Sequence, residues 1–320
     1  MNKKHILYIV IPCYNEEAVL RETAKQVAMK MQQLYDRELI SEKSKVLFVD
    51  DGSKDMTWPM IEALHAENKI YSGVKLSRNR GHQNALLAGL SVAVKSADMI
   101  ITMDADLQDD IGAIDGFIEK YYEGCEVVYG VRSARATDTF FKRFTAQSFY
   151  KLMLAMGVDI VYDHADYRLM SRRAVEEMLN FKEVNLFLRG IVPLVGFKSD
   201  KVYYERNERF AGESKYPLKK MLSFAMDGIT AFSVRPIRLI TTLGVVIFVV
   251  SLCMLVYSLI RHFTGHTSIG WSSMFVSIWA LGGLQILAIG VIGEYIGKIY
   301  METKERPKFI IEKTLDEGAY

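Results

Sequence analysis

Leu239 to Ile260 carries no charged residue, and Trp271 to Gly293 is a second uncharged run of similar length. A helix rises about 1.5 Å per residue, so each run is long enough to cross roughly 30 Å of hydrocarbon. Neither run shows the polar face that a surface helix of a soluble domain needs. Two transmembrane helices are therefore expected, over 239–260 and 271–297. The loop between them, His262 to Gly270, has no Lys or Arg. The basic residues lie outside it, with Lys215, Lys219, Lys220, Arg235 and Arg238 before and Lys298, Lys304, Arg306 and Lys308 after. Basic flanks favour the cytoplasm. The expectation is a multi-pass protein of the cell membrane with both termini and its soluble domain inside. Gly282, Gly283, Gly290, Gly293 and Gly297 would let the second helix approach another closely, which predicts a homo-oligomer.

The remaining two thirds read as an ordinary globular sequence. The formal net charge of +2 gives no global attraction to a polyanion, so nucleic acid is not an expected partner. Cys13, Cys125 and Cys253 are far apart, with neither metal-ligand spacing nor a disulfide framework. The first apolar run is short and is followed at once by Glu16 and Glu17, which suits a buried strand and not a signal peptide. Strands are predicted at 7–11, 46–49, 74–76, 99–103 and 127–130, with helices at 17–35, 58–68 and 83–95. Strands alternating with helices imply an α/β fold with a mainly parallel sheet. Ligands of such sheets bind beyond the carboxyl ends of the strands.

Polar clusters occupy those ends. After the fourth strand the chain reads MDADLQDD. A D-x-D pair there can aim two carboxylates at one point. Hard oxygen ligands suit Mg²⁺ or Mn²⁺, which binds few carboxylates and completes its shell with phosphate and water. Such an ion neutralises charge on a departing nucleotide diphosphate. After the second strand, FVDDGSKD offers two acids for a base and ribose, although Gly52 and Ser53 also suit a plain turn. After the third, LSRNRGHQNA sets Arg78, Arg80 and His82 close together, as cations that can meet a diphosphate. His82 has no metal-ligand partner in the sequence and is not assigned to a metal.

PCYNEE, VDDGSKD, SRNRGHQNA and MDADLQD, in this order and spacing, resemble the inverting nucleotide-sugar glycosyltransferases of the GT-A fold. GVRSAR, HADYRLMSRRA, FLRGIVPLVGF and RFAGESKYP, followed by two apolar runs, narrow the resemblance. They are similar to the polyprenyl-phosphate glycosyltransferases, which include dolichol-phosphate mannose synthases and bacterial undecaprenyl-phosphate sugar transferases. The resemblance implies that Pro12, Tyr14, Glu16 and Asp51 line the base and ribose pocket, with Arg78 and Asp104 also on the nucleotide. It implies that Asp104, Asp106 and Gln108 surround the metal and diphosphate. Arg132, Arg143 and Arg168 would face the acceptor phosphate. Asp166 occupies the position often proposed as general base, but Ala165 stands where the family usually has Gly. A phosphate monoester has its second pKa near 6 and is mostly ionised at neutral pH, so the attacking oxygen needs no base. Asp166 can instead orient Arg168 or bind a sugar hydroxyl.

The implied reaction is inverting transfer from a nucleotide diphosphate sugar, UDP-glucose or UDP-N-acetylglucosamine, to undecaprenyl phosphate at the cytoplasmic membrane face, for cell-envelope glycan modification. Two other readings stay open. A processive polysaccharide synthase would carry a Q-x-x-R-W motif and more spans, and a non-catalytic membrane adaptor would not need Asp104 and Asp106. The expected organisation is a GT-A domain over 1–212, juxtamembrane interfacial helices over 213–238, the two spans, and a cytoplasmic tail over 298–320. A further amphipathic stretch, 140–157, would lie at the headgroups. In the tail, KFIIEK follows Pro307 and is expected to dock as an added strand on a catalytic domain, in the same or a neighbouring protomer.

Overall fold

The computed structural model describes residues 4–133, 164–183, 188–205, 235–264 and 271–315. Arg143 and both expected interfacial helices lie outside the described residues. The strands are β1 (Leu7–Cys13), β2 (Lys45–Asp50), β3 (Tyr71–Leu76), β4 (Met99–Thr102), β5 (Val127–Arg132), β6 (His164–Ser171), β7 (Ser199–Tyr204) and β8 (Ile311–Thr314). The helices are α1 (Leu20–Asp36), α2 (Thr57–Glu67), α3 (His82–Ala93), α4 (Ala113–Tyr122), α5 (Arg172–Leu179), α6 (Leu188–Leu194), α7 (Arg235–Phe263) and α8 (Trp271–Thr303).

The strands form one sheet in the order β7-β5-β6-β4-β1-β2-β3-β8. Its centre is parallel, as expected, through β4, β1, β2 and β3. β6 runs antiparallel between β4 and β5, and β8 runs antiparallel to β3 at the edge. β1 is buried along its whole length. Successive side chains point to opposite faces, so Leu7, Ile9 and Ile11 pack on one side with α1, α2 and α4. Tyr8 and Val10 pack on the other with α3, α5 and α6. The sheet thus carries a separate apolar core on each face.

The reversal of β6 positions the site. Arg168 pairs opposite Thr102 at the carboxyl end of β4, and His164 opposite Val131 near the carboxyl end of β5. The beginning of β6 therefore lies at the same rim as the ends of its parallel neighbours.

α7 and α8 coincide with the two expected spans. Among the described residues one stretch, Leu281–Thr303, is long and apolar enough to cross a membrane, with mean hydropathy 1.3, and it is not buried in the fold. Two spans were expected, and among the described residues one stretch has that length and apolarity. Large apolar side chains face outward on both helices, among them Leu239, Val245, Ile286 and Ile289. A side chain at Gly282, Gly283, Gly290, Gly293 or Gly297 would meet open space.

The tail docks as an added strand within its own chain. Val74 pairs with Thr314, Lys75 with Lys313 and Leu76 with Ile311. The Ser77 N–H donates to the Ile310 carbonyl at 3.0 Å, and the Leu315 N–H to the Gly73 carbonyl at 2.7 Å. Ion pairs Lys75–Glu312 and Lys313–Glu62 flank the strand. Residues 308–315 complete the sheet, so they do not form a separate tail.

Asp50, the last residue of β2, is fully buried. One carboxylate oxygen accepts the Ser53 N–H at 3.2 Å, and the other has no partner among the described residues. Burial pushes its pKa up, against the opposing pull of the Ser53 hydrogen bonds and Lys75. The folded state therefore holds this proton more tightly than the unfolded chain does. The associated stability is full below the ordinary value of 3.8 and is lost as pH rises through the raised folded value. Asp50→Asn removes the charge and keeps an acceptor for Ser53. Thermal melts should place its Tm about 2–4 °C above wild type near neutral pH. The gap should close as the pH falls below the ordinary carboxylate value, and a gap independent of pH would contradict the assignment.

Candidate active site

The loop after β1 and the loop after β2 are stitched together. The Asn15 N–H donates to the Ser53 hydroxyl, the Lys54 N–H to the Asn15 side-chain oxygen, and the Glu16 N–H to the Thr57 hydroxyl. Asn15 accepts a φ of 55° to make this turn. Pro12 is buried in β1, Glu16 is half-buried, and Tyr14 is exposed.

Asp51 is buried and both its oxygens are engaged. One accepts the Arg80 N–H at 2.6 Å and the other the Gly81 N–H at 2.8 Å. Burial raises its pKa, and these two hydrogen bonds oppose the rise. Asp51 therefore holds the Arg78–His82 loop in place. The loops touch closely at Gly52, whose φ is 67° and whose missing Cβ would lie 2.6 Å from the Arg78 backbone. Only glycine meets both conditions. Arg78 is exposed on this loop.

The D-x-D loop follows β4. Asp104, Asp106 and Gln108 are partly open, whereas Ala105, Leu107 and Asp109 are buried. The Thr23 hydroxyl pins this loop to α1 by donating to the Ala105 carbonyl at 2.7 Å. Asp106 also accepts the Gln108 N–H at 3.2 Å. Asp104 is partly enclosed, with its side chain 39% exposed. Burial pushes its pKa up to about 6, with His82 opposing and Asp109, Asp166 and Asp106 adding to the rise. The buried Asp109 is matched by the Tyr204 hydroxyl at 2.6 Å and by Arg132 at 3.4 Å. Arg132, at the end of β5, also donates to the Tyr204 hydroxyl at 3.3 Å.

On the opposite side stands Asp166, at the start of β6. Arg168 reaches one of its oxygens at 2.6 Å, and Arg189 from α6 reaches the other at 3.2 Å. Burial alone would raise its pKa, but Arg189, Arg168 and His82 together hold the carboxyl well below the usual carboxylate range. Arg168 is only 2% exposed and lies beneath Asp166, so it acts on the site through that carboxylate. His82 links the two sides, 3.7 Å from Asp104 and 3.8 Å from Asp166.

The structure thus gathers Asp51, Asp104, Asp106, Gln108, Arg132 and Asp166 at one rim. Three further residues belong there that the sequence reading did not assign: Arg189, Asp109 and Tyr204. Arg189 lies in the quoted FLRG segment, where a guanidinium interrupts an apolar run, and that interruption was the available signal. Asp109 sits in the quoted acidic run but looks there like any helix-capping acid. Nothing in the sequence couples Tyr204 to it.

The sequence model of glycosyl transferase family 2 matches residues 8–179. A Bacillus subtilis (strain 168) protein named uncharacterized glycosyltransferase YkoT is 56% identical over 307 residues, covering 96% of this chain and 91% of its own. The prophage bactoprenol glucosyl transferase homolog of Escherichia coli (strain K12) is 40% identical over 310 residues, covering 95% and 98%. Among solved structures, the mannosyltransferase PcManGT from Pyrobaculum calidifontis, in complex with GDP-Man and Mn²⁺, covers 92% of this chain and 88% of its own. Its identity is 13% and its TM-score 0.44, a likeness too loose to argue from. With the family pattern spanning more than half of the sequence and relatives aligned along nearly all of it, the chain belongs to glycosyl transferase family 2.

Proposed function

We propose that this glycosyltransferase moves glucose from a nucleotide diphosphate, UDP in the first instance, onto undecaprenyl phosphate at the cytoplasmic face of the membrane. One observation carries the reading. The carboxylate-and-guanidinium rim lies where the apolar helix α8 returns to the sheet. After Thr303 the chain passes the rim, with Arg80 donating to the Pro307 carbonyl at 3.5 Å and Lys308 to the Phe181 carbonyl at 2.9 Å. It then enters β8 beside Leu76, at the carboxyl end of β3. A mouth tied to a membrane helix suits an acceptor whose phosphate is polar and whose tail stays in lipid. The relatives named bactoprenol glucosyl transferase, 40% identical over nearly full length, support both glucose and a polyprenyl acceptor. UDP-N-acetylglucosamine is the second donor to test.

The organisation proposed with this function is a catalytic domain over 1–212 completed by β8, juxtamembrane helices over 213–238, and two spans that leave both termini cytoplasmic. The glycine-bearing face of α8 is reserved for helix packing in a homo-oligomer. Tyr14, Pro12 and Glu16 line the base and ribose pocket, with Asp51 behind them and Arg78 at its edge. Arg132 meets the acceptor phosphate.

The acidic loop fits a divalent cation. Burial, and after it repulsion from Asp109, Asp166 and Asp106, raises the Asp104 pKa, which a cation would relieve. Among the described residues no three His, Cys, Asp or Glu side chains converge on one point. Two carboxylates completed by substrate phosphate oxygens are the usual arrangement for Mg²⁺, and Mn²⁺ takes the same oxygen ligands. Asp104 and Asp106 would hold it, with Gln108 beside them. When bound, it would neutralise charge on the departing diphosphate. The chain's own residues orient the acceptor. An ionised phosphate oxygen attacks the anomeric carbon, the bond from that carbon to the diphosphate oxygen breaks, and the configuration inverts.

Incubation of the purified protein with labelled UDP-glucose and undecaprenyl phosphate should yield label in the organic phase. Label that stays aqueous with every nucleotide sugar and polyprenyl phosphate tried would reject the reading. Asp106→Asn should lower turnover by about a hundredfold or more, and EDTA should stop the wild type until Mg²⁺ or Mn²⁺ is restored. Full turnover in a metal-free preparation would count against the cation. Arg132→Ala should weaken use of the lipid by about 1.5–3 kcal/mol while sparing UDP affinity. Equal losses in both would move Arg132 away from the acceptor.

A further inference from the structure

Asp166 has the position of a general base but not the surroundings of one. A base needs an oxygen open to the proton it takes and a pKa near the working pH. Here one oxygen receives Arg168 at 2.6 Å. The Arg189 guanidinium spans both oxygens, with Nη2 3.2 Å from Oδ2 and Nε 3.4 Å from Oδ1. The backbone is fixed as well, because the Thr102 hydroxyl donates to the Asp166 carbonyl.

The two arginines are not equivalent. Arg168 is buried at 2% exposure, whereas the Arg189 side chain is 32% exposed and faces the cleft beside Asp166. Of the two guanidiniums that hold this carboxylate, Arg189 is the one a ligand can reach. The helix that carries Arg189 is fixed in place. Leu188, Ile191 and Val192 are buried in the core, and the Leu188 N–H donates to the Gln83 side-chain oxygen at 2.9 Å. Gln83 follows His82, whose ring stands between Asp166 and Asp104. The Asp166–Arg189 pair therefore sits across one imidazole from Asp104.

We propose that Arg189 contacts the acceptor phosphate directly and that Asp166 is the positioning residue that aims it. This rests on a polyprenyl phosphate being the acceptor. The preset fork of a guanidinium matches two phosphate oxygens. A carboxylate behind it fixes its rotamer before the lipid arrives, so less ordering is left to the binding step. No proton is transferred to Asp166. The phosphate arrives ionised, and its oxygen forms the new bond as the diphosphate leaves.

The test uses the full-length protein in detergent or nanodiscs with UDP-glucose and undecaprenyl phosphate, reading kcat, KM for the lipid, and UDP affinity separately. Arg189→Gln should raise KM for the lipid by about 10–100-fold and leave UDP affinity unchanged. Arg189→Lys should recover part of the loss, because it keeps the charge without the fork. Asp166→Asn should show the same KM defect, and the double variant should add little to either, as expected of residues acting as one unit. UDP affinity serves as the folding control, and Arg189→Lys keeps the inference testable if the Gln variant does not fold. Three outcomes overturn it. The first is an unchanged lipid KM in Arg189→Gln or Arg189→Lys. The second is a loss of UDP affinity in a folded Arg189 variant, which would place Arg189 on the donor. The third is a collapse of kcat in Asp166→Asn at unchanged lipid KM, which would make Asp166 a base. A wild type that glucosylates no polyprenyl phosphate fails the acceptor reading instead, before any variant is compared.

Discussion

Carboxylates crowd the carboxyl ends of these strands, and the site depends on how each is matched. Asp51, Asp104, Asp106, Asp109 and Asp166 share one rim; Asp51 and Asp109 are buried and the other three partly so. A buried charge without partners costs several kcal/mol, so each needs a donor or a cation. Asp51 takes two backbone N–H groups. Asp109 takes Tyr204 and Arg132. Asp166 takes two arginines. Asp104 faces His82 at 3.7 Å, and burial pushes its pKa up despite that neighbour. The matching is uneven, and the raised pKa of Asp104 records it.

This division separates structural from chemical work along a single sequence segment. In Asp104–Asp109, alternate side chains face the cleft or the interior. Asp109 points inward to fasten β5 and β7 through Arg132 and Tyr204. Asp104 and Asp106 point outward, where a ligand can reach them. Thr23 holds the intervening carbonyl, so the loop presents both acids from a fixed backbone. Preorganisation of this kind keeps the cost of ordering out of the reaction itself.

The apolar helices and the sheet are linked by the same economy of contacts. β8 covers the edge of β3, which would otherwise expose unpaired backbone groups. The chain reaches that edge from α8 along the rim. Edge protection and loop positioning therefore share one short segment, 304–315, that follows the apolar helix α8. Displacing it would disturb the β3–α3 loop through Arg80 and Ser77 as well as the edge itself.

The local pattern of the sequence determined much of this protein. Apolar runs alternating with amphipathic segments specify β1 to β5 and α1 to α3, because burial at periods of two and about 3.6 residues is encoded by neighbours. The acidic and basic loops are legible for the same reason: each follows its strand directly. The length of the uncharged runs specifies two long apolar helices, and Pro307 before an apolar run marks the start of an added strand. The tertiary structure alone decided the rest. β6 runs backwards between β4 and β5, which brings Asp166 and Arg168 to the rim from a distant part of the chain. That pairing is non-local, and no periodicity records strand direction. The fates of the charges are also tertiary. Arg168 is buried while Arg189 is partly exposed, and Asp51 is bound to backbone N–H groups while Asp104 faces the His82 ring. An ionisable side chain has the same sequence signature in either state, and only the dielectric and the partners around it decide which role it takes.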